Sequence, residues 1–341
     1  MANGDRHTPG RVARGRGAFT ILELLISILL IGIVLSLVIV GGLAVTRSAR
    51  GAADRAAVSG IATGLAQFRE EFGFIPPLVK DKATPAQVLT TAPGERRLVV
   101  YDLTNPADQA RLRASTAVPT AGNPLVDNRY STVSLAAYLA GGMDFPLSTS
   151  GEAIALDGSA GPSFYRPTRD GGFEIPADVR RGSSATTRRT GTVYQSLVNL
   201  TKASPRLRAN PSTPEEVELI DAAGVPIRYY RWLTGREQPA GSGNFVVETI
   251  ADLNVPAMVA RDQSLAAFQY LPKRGERDLA TNVKVKSATW AIVSAGPNGV
   301  FGDEAIGEIA QRLGKPVPAN AADEARLRGV AEEDNVVEVG S

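Results

Sequence analysis

The chain has 341 residues, enough for one or two domains with a real core, and combines a 43% apolar content with 34 Gly, 22 Pro and only 6% aromatics, a composition of many turns around a modest interior. Its formal net charge of +2 resides in the first eighteen residues, where Arg6, Arg11, Arg14 and Arg16 face Asp5 alone; the remainder carries 33 basic against 34 acidic residues, which removes the electrostatic case for a nucleic-acid partner. There is no cysteine and the single histidine is His7, so beyond the N-terminus disulfides, thiolate sites, a Ser-His-Asp triad and ordinary zinc centres are excluded, while carboxylate, Lys or Tyr chemistry and oxygen-ligated cations remain.

Residues 24–46 form a run of 23 uncharged residues, which as a helix extends about 34 Å and matches a hydrocarbon layer of about 30 Å; the run predicts a membrane span and is too long for a cleaved secretory signal. Glu23 opens the run, preceded by Phe19, Ile21 and Leu22. A carboxylate embedded in an apolar helix either marks the interface or requires a partner, because its desolvation is costly. Arginines lie on both sides of the run, so charge encodes orientation only weakly.

The stretch from Arg14 through Val34 resembles the leader and first helix of type IV prepilins, and most closely the pseudopilins of type II secretion of the major subunit kind. That family has a basic leader cut after a small residue by a prepilin peptidase, then Phe, Thr, two aliphatics and Glu at the fifth place. Phe19, Thr20, Ile21, Leu22 and Glu23 fit if the cut falls between Ala18 and Phe19; Ala18 stands where Gly is usual, and a cut between Gly17 and Ala18 stays open as the alternative. The resemblance implies N-methylation of Phe19 and a filament in which Glu23 of one subunit pairs with the α-amino group of its neighbour. Pairing makes two buried charges compatible and sets the stagger between subunits.

Beyond the run, Val58, Ile61, Leu65, Phe68 and Phe72 recur at alternating steps of three and four, an apolar stripe on a helix ending near residue 71, with Gly73 and Pro76-Pro77 as terminator. A stripe of this kind predicts that a sheet packs against it. Residues 78–215 read as a long loop-rich insertion with a strand at 98–103 and short helices at 131–140 and 194–200. Strands are expected up to residue 233 after the Gly224-Val225-Pro226 turn, and at 245–250, 266–271 and 289–294.

The segment from Asp221 to Tyr230 resembles the strand-forming segment of major pseudopilins, and the loop from Ser294 to Glu304 resembles their calcium-binding loop. That resemblance implies Asn298, Asp303 and Asp334 as side-chain donors for calcium. The plain alternative is a tight Pro-Asn-Gly turn beside a solvated acidic tail, since residues 303–341 hold nine acidic and four basic residues.

The expected fold class is α+β: a long N-terminal helix with a membrane-spanning first half, packed on a small antiparallel β-sheet, with a loop-rich insertion. The expected organisation is a cleaved leader at 1–18, a transmembrane and filament-core helix at 19–46, the second half of that helix with its terminator at 47–77, the insertion at 78–215, sheet and loop at 216–304, and an acidic tail at 305–341. The resemblance implies a non-enzymatic pseudopilin driving protein export, single-pass in the inner membrane with a periplasmic C-terminal domain. Its implied partners are the prepilin peptidase, other pseudopilins in a homopolymer or mixed filament, and an inner-membrane assembly platform. A type IV pilin of a surface fibre is the near alternative. A membrane-anchored enzyme is the distant one, as its paired acids Glu215 and Glu216 are adjacent and would not face each other on a helix.

Overall fold

In the computed structural model of this chain, residues 21–81, 98–105, 107–108, 130–141, 144–146, 153–155, 163–174, 192–201, 204–209, 216–232 and 288–341 are described, with side chains at all of them except 37–41, 43–44, 144–146, 153–155 and 163. The strands expected at 245–250 and 266–271 lie outside the described residues. The chain divides into two compact units, Met1–Arg47 and Ser48–Ser341. One helix, α1, runs over Ile21–Phe72 and belongs to both.

Within the first unit, every described large apolar side chain of 21–35 is exposed, from 82% at Ile21 to 48% at Ile33. Among the described residues no helix is long and apolar enough to cross a membrane. This overturns the expected single-pass inner-membrane placement.

Within the second unit, α1 buries Val58, Ile61, Leu65, Phe68 and Phe72, the stripe read from the sequence. It stops where Gly73 takes φ +73° and donates its N–H to the Arg69 carbonyl at 2.9 Å, a left-handed terminus that only Gly adopts without strain.

The strands after α1 are β1 (Tyr130–Ser131), then helix α2 (Ser134–Ala140), β2 (Asp144–Pro146), β3 (Ala153–Ala155), β4 (Ser163–Tyr165), β5 (Val193–Gln195), β6 (Arg206–Ala209), β7 (Val217–Ile220), β8 (Arg228–Arg231) and β9 (Trp290–Ser294). Helices α3 (Ile306–Leu313) and α4 (Ala321–Glu333) and strand β10 (Val336–Gly340) close the chain. The described strands pair antiparallel, in a four-stranded sheet of order β1-β8-β9-β10 and three hairpin-like pairs, so the class is α+β with an N-terminal helix.

The sheet lies on the helix stripe as the stripe requires. Tyr229, Trp290 and Ile292 join Val58, Ile61, Leu65 and Phe68 in one core, while the alternate residues Tyr230, Ala291 and Val293 build a second core with Trp232 and Phe301 on the opposite face. The period of two along β8 and β9 divides their side chains between the two cores. The terminator after α1 is tied to β8, since Tyr229 Oη donates to the Pro76 carbonyl at 2.9 Å and Arg231 Nη1 to that of Ile75 at 2.8 Å.

Several differences from the sequence reading have local causes. The expected helix at 194–200 is instead the end of β5 followed by bends and a turn, as Tyr194 pairs with Phe164 of β4 and packs its ring on Phe72 at 4.9 Å. The expected strand at 98–103 is a single bridge, Val79 to Val100. The segment read as an insertion supplies core: α2 is buried along its whole length, and Leu135, Tyr138, Phe164 and Tyr165 pack with the α1 stripe. The tail read as solvated is folded, with β10 in register on β9 from Val336 opposite Ser294 to Gly340 opposite Trp290. Gly340 is required there, since a Cβ would sit 2.2 Å from the Trp290 ring.

Candidate functional site

Two regions carry residues singled out by the sequence. In the first, Gly17, Ala18 and Phe19 lie outside the described residues. Glu23 sits in the first turn of α1 and is exposed, and its carbonyl accepts a 2.7 Å hydrogen bond from Ser27 Oγ. Around it the helix is apolar on all sides, with Leu22, Leu24, Leu25, Ile26, Ile28 and Leu29 all exposed. An all-round apolar helix has no solvent face and is stable only when something covers it.

The second region is the loop after β9. A short 3-10 turn over Gly296–Asn298 ends at Gly299, whose φ is +71°. Gly296 is also left-handed, at +70°, and a Cβ there would meet the Asp334 carbonyl at 2.0 Å, so the loop and the end of α4 touch backbone to backbone. Ser294 Oγ donates to Asp221 Oδ2 at 3.0 Å, while Asp221 Oδ1 accepts the N–H groups of Ala223 and Val225 at 3.0 and 2.9 Å. The turn at 221–225 is thereby held to the loop. Burial pushes the Asp221 carboxyl up to about 6, and the nearby Asp54 adds to the shift.

At the centre of the loop Arg228 Nη1 donates to Asp303 Oδ2 at 2.6 Å, with 8% and 4% of the two side chains exposed. The guanidinium lies 3.6 Å from the Phe301 ring centre and 4.3 Å from that of Tyr130. A planar cation between two π-faces and a carboxylate is a favourable way to bury charge. Burial alone would lower the Arg228 pKa, but the charge of Asp303 and the phenol groups of Tyr130 and Tyr230 outweigh it and the net shift is upward. Beside this pair, Glu304 accepts the N–H groups of Phe301 and Gly302 at 2.8 and 2.9 Å. Burial first, then the charge of Asp303, raises the Glu304 pKa.

The three residues expected to donate to calcium are not brought together for that role. Asn298 Oδ1 accepts from the Val300 N–H at 3.0 Å and its Nδ2 donates to the Ala331 carbonyl at 2.7 Å. Asp303 is paired with Arg228, and Asp334 is the exposed C-cap of α4. Among the described residues no group of three or more His, Asp or Glu is placed to hold a metal ion.

No protein family, curated protein or solved structure matches this chain. The site therefore rests on its own chemistry.

Sequence reasoning missed Arg228, Arg312, Arg328 and Asn335, each of which donates to the loop. A usable signal was present in the tail. Asn320 caps α4 by accepting the Asp323 N–H at 2.9 Å, and Glu324 and Arg328 pair at the i, i+4 spacing, a pattern that marks a helix start. Gly314, with φ +62°, likewise ends α3.

Proposed function

We propose that this chain is a prepilin-like filament subunit of a secretion-type machine, whose N-terminal helical segment is covered by the same segment of other copies. The observation that carries the reading is the exposed, all-round apolar surface of 21–35. An exposed surface of that kind demands a partner of matching apolarity, and identical helices supply one. In the assembled state Glu23, the one carboxylate of that segment, would meet the α-amino group at Phe19 of a neighbour, which makes the pair a device for register. Prepilin peptidase would generate that amine by cutting between Ala18 and Phe19.

The folded unit from Ser48 onward is consistent with a load-bearing subunit, because the second half of α1 is fixed by a continuous core and by its tied-down terminator. The reading assigns the folded unit no chemistry of its own. Its business is contact.

The test is the mature N-terminus and the contacts between copies. With the peptidase present, the purified chain is expected to begin at N-methylated Phe19, and without it at the leader. Because the chain lacks cysteine, a single Ile28→Cys variant is a clean probe, and oxidation is expected to give disulfide-linked dimers. An uncut chain in the presence of the peptidase, together with a monomeric Ile28→Cys protein, would overturn the proposal.

A further inference from the structure

Four backbone carbonyls of the loop accept hydrogen bonds from side-chain donors. The Gly299 carbonyl accepts from Arg312 Nη1 at 2.9 Å, that of Phe301 from Asn335 Nδ2 at 2.9 Å, and those of Gly302 and Glu304 from Arg328 Nη1 at 2.8 and 2.9 Å. All three donor residues come from the segment after residue 305. Asp303 pairs with Arg228, and Glu304 accepts two backbone N–H groups.

We infer that the chain's own C-terminal segment closes this loop with guanidinium and amide donors, so that the loop neither binds calcium nor depends on it. Carbonyl and carboxylate oxygens converging from one loop are the ligand type a hard cation selects. Here the positive charge is covalent. Arg328 is 5% exposed, and its Nε and Nη2 both reach Glu324 Oε1, at 3.0 and 2.9 Å, so its charge is compensated on one side while Nη1 serves the loop on the other. Arg228 does the same on the sheet side, flanked by Tyr130 and Phe301. A planar fork can satisfy several fixed acceptors at once, which a single ammonium cannot.

The close packing leaves the clamp no slack. Gly302 has φ +96°, and a Cβ there would lie 2.4 Å from Glu332 Cγ on α4. The hydrophobic side of the contact is shared, since Val300 of the loop is buried with Ile309, Ala310, Leu327 and Ala331 of the two helices. The folded tail and the loop thus form one structural unit, and the acidic residues of the tail are largely partners of arginines or exposed helix positions.

The experiment is thermal unfolding of the full-length protein in excess EGTA and in excess calcium chloride, read by fluorescence of Trp232 and Trp290, with calcium titration calorimetry alongside. The wild-type Tm is expected to be the same in both solutions and the calorimeter to show no binding heat. Arg328→Met is expected to lower Tm by about 5 °C, and Arg228→Lys by a similar amount, with no recovery on adding calcium. A ligand that bound only the folded state would raise Tm in proportion to its occupancy. A wild-type Tm that rises with calcium and returns with EGTA, or arginine variants that melt like the wild type, would overturn the inference. The wild-type comparison decides even where a variant fails to fold. None of these readouts involves filament assembly, so the outcome is separable from that of the filament reading.

Discussion

Asp54 Oδ1 on α1 accepts a 2.8 Å hydrogen bond from the backbone N–H of Ala222, 168 residues later in the chain. The side chain is fully buried, and among the described residues its Oδ2 has no hydrogen-bond partner. Burial raises its pKa against the opposing pull of the Ala222 hydrogen bond and of Arg50. Asp54→Asn keeps an acceptor for Ala222 and is expected to change stability by less than about 1 kcal/mol. Asp54→Leu strands the N–H and is expected to cost about 1–3 kcal/mol, measured by urea unfolding.

The next carboxylate in the same network makes stability depend on pH. Asp221 is raised from 3.8 to about 6 in the folded state, chiefly by burial. Because the unfolded chain gives up this proton at a lower pH than the folded state does, rising pH favours unfolding across the interval between the two pKa values. The contribution is therefore fully present below about pH 4 and is lost as pH rises through about 6, amounting to about 3 kcal/mol for a shift of this order. Unfolding free energies across pH 4 to 7 are expected to fall more steeply for the wild type than for Asp221→Asn. Equal slopes would show that Asp221 titrates normally.

Phe68 anchors the junction of α1 with α2. It is fully buried, with ring centres 4.6 Å from Phe72, 5.2 Å from Phe74 and 6.0 Å from Tyr138. Phe68→Ala is expected to cost about 3–5 kcal/mol, because the surrounding rings cannot collapse onto the void. A loss below about 1 kcal/mol in chemical denaturation would contradict the packing described.

Gly302→Ala places a Cβ in a left-handed backbone position and against the Glu332 side chain. The strain and the displaced carboxylate are expected to cost about 1–3 kcal/mol and to loosen α4 from the loop, visible as faster amide exchange over 321–333. Gly307, which has open space around its Cβ position, is the control and its alanine variant is expected to be neutral or mildly stabilising.

In the N-terminal unit, Leu25→Glu combined with Leu29→Glu is expected to abolish self-association while leaving the unfolding of the Ser48–Ser341 unit unchanged. Both leucines are exposed, so the folded unit loses no internal contact when they change. Sedimentation velocity and urea unfolding on the same preparations separate the two effects, and a variant that still assembles would argue against apolar coverage by copies.

The second half of α1 was legible because an apolar stripe of Val58, Ile61, Leu65, Phe68 and Phe72 has one helical interpretation and Gly73 one way of ending it. Strands β8 and β9 were legible from the turn at Gly224 and from their dense apolar run. Helices α3 and α4 were not, because their charge suggested solvent and their apolar contacts, Ile309, Leu327 and Ala331, are few and spread out. The membrane placement failed because it was inferred from the length of an uncharged run, whereas among the described residues no helix meets the requirement of length and apolarity together.

The sequence by itself determined the elements whose signal is local: the helix stripe and its glycine stop, the strands after the Gly224 turn and at 289–294, and the absence of cysteine and of histidine beyond residue 7. Only the tertiary structure decided what the oxygens of the C-terminal loop face. Asp303 and Asn298 carry ligand chemistry in any sequence, but whether they meet a metal, an arginine or a backbone amide depends on which distant groups fold against them. Arg228 arrives 75 residues earlier in the chain than Asp303, and Arg328 comes 26 residues after Gly302. Hydrogen bonds and ion pairs act over a few ångströms of space, so no spacing along the chain could reveal them.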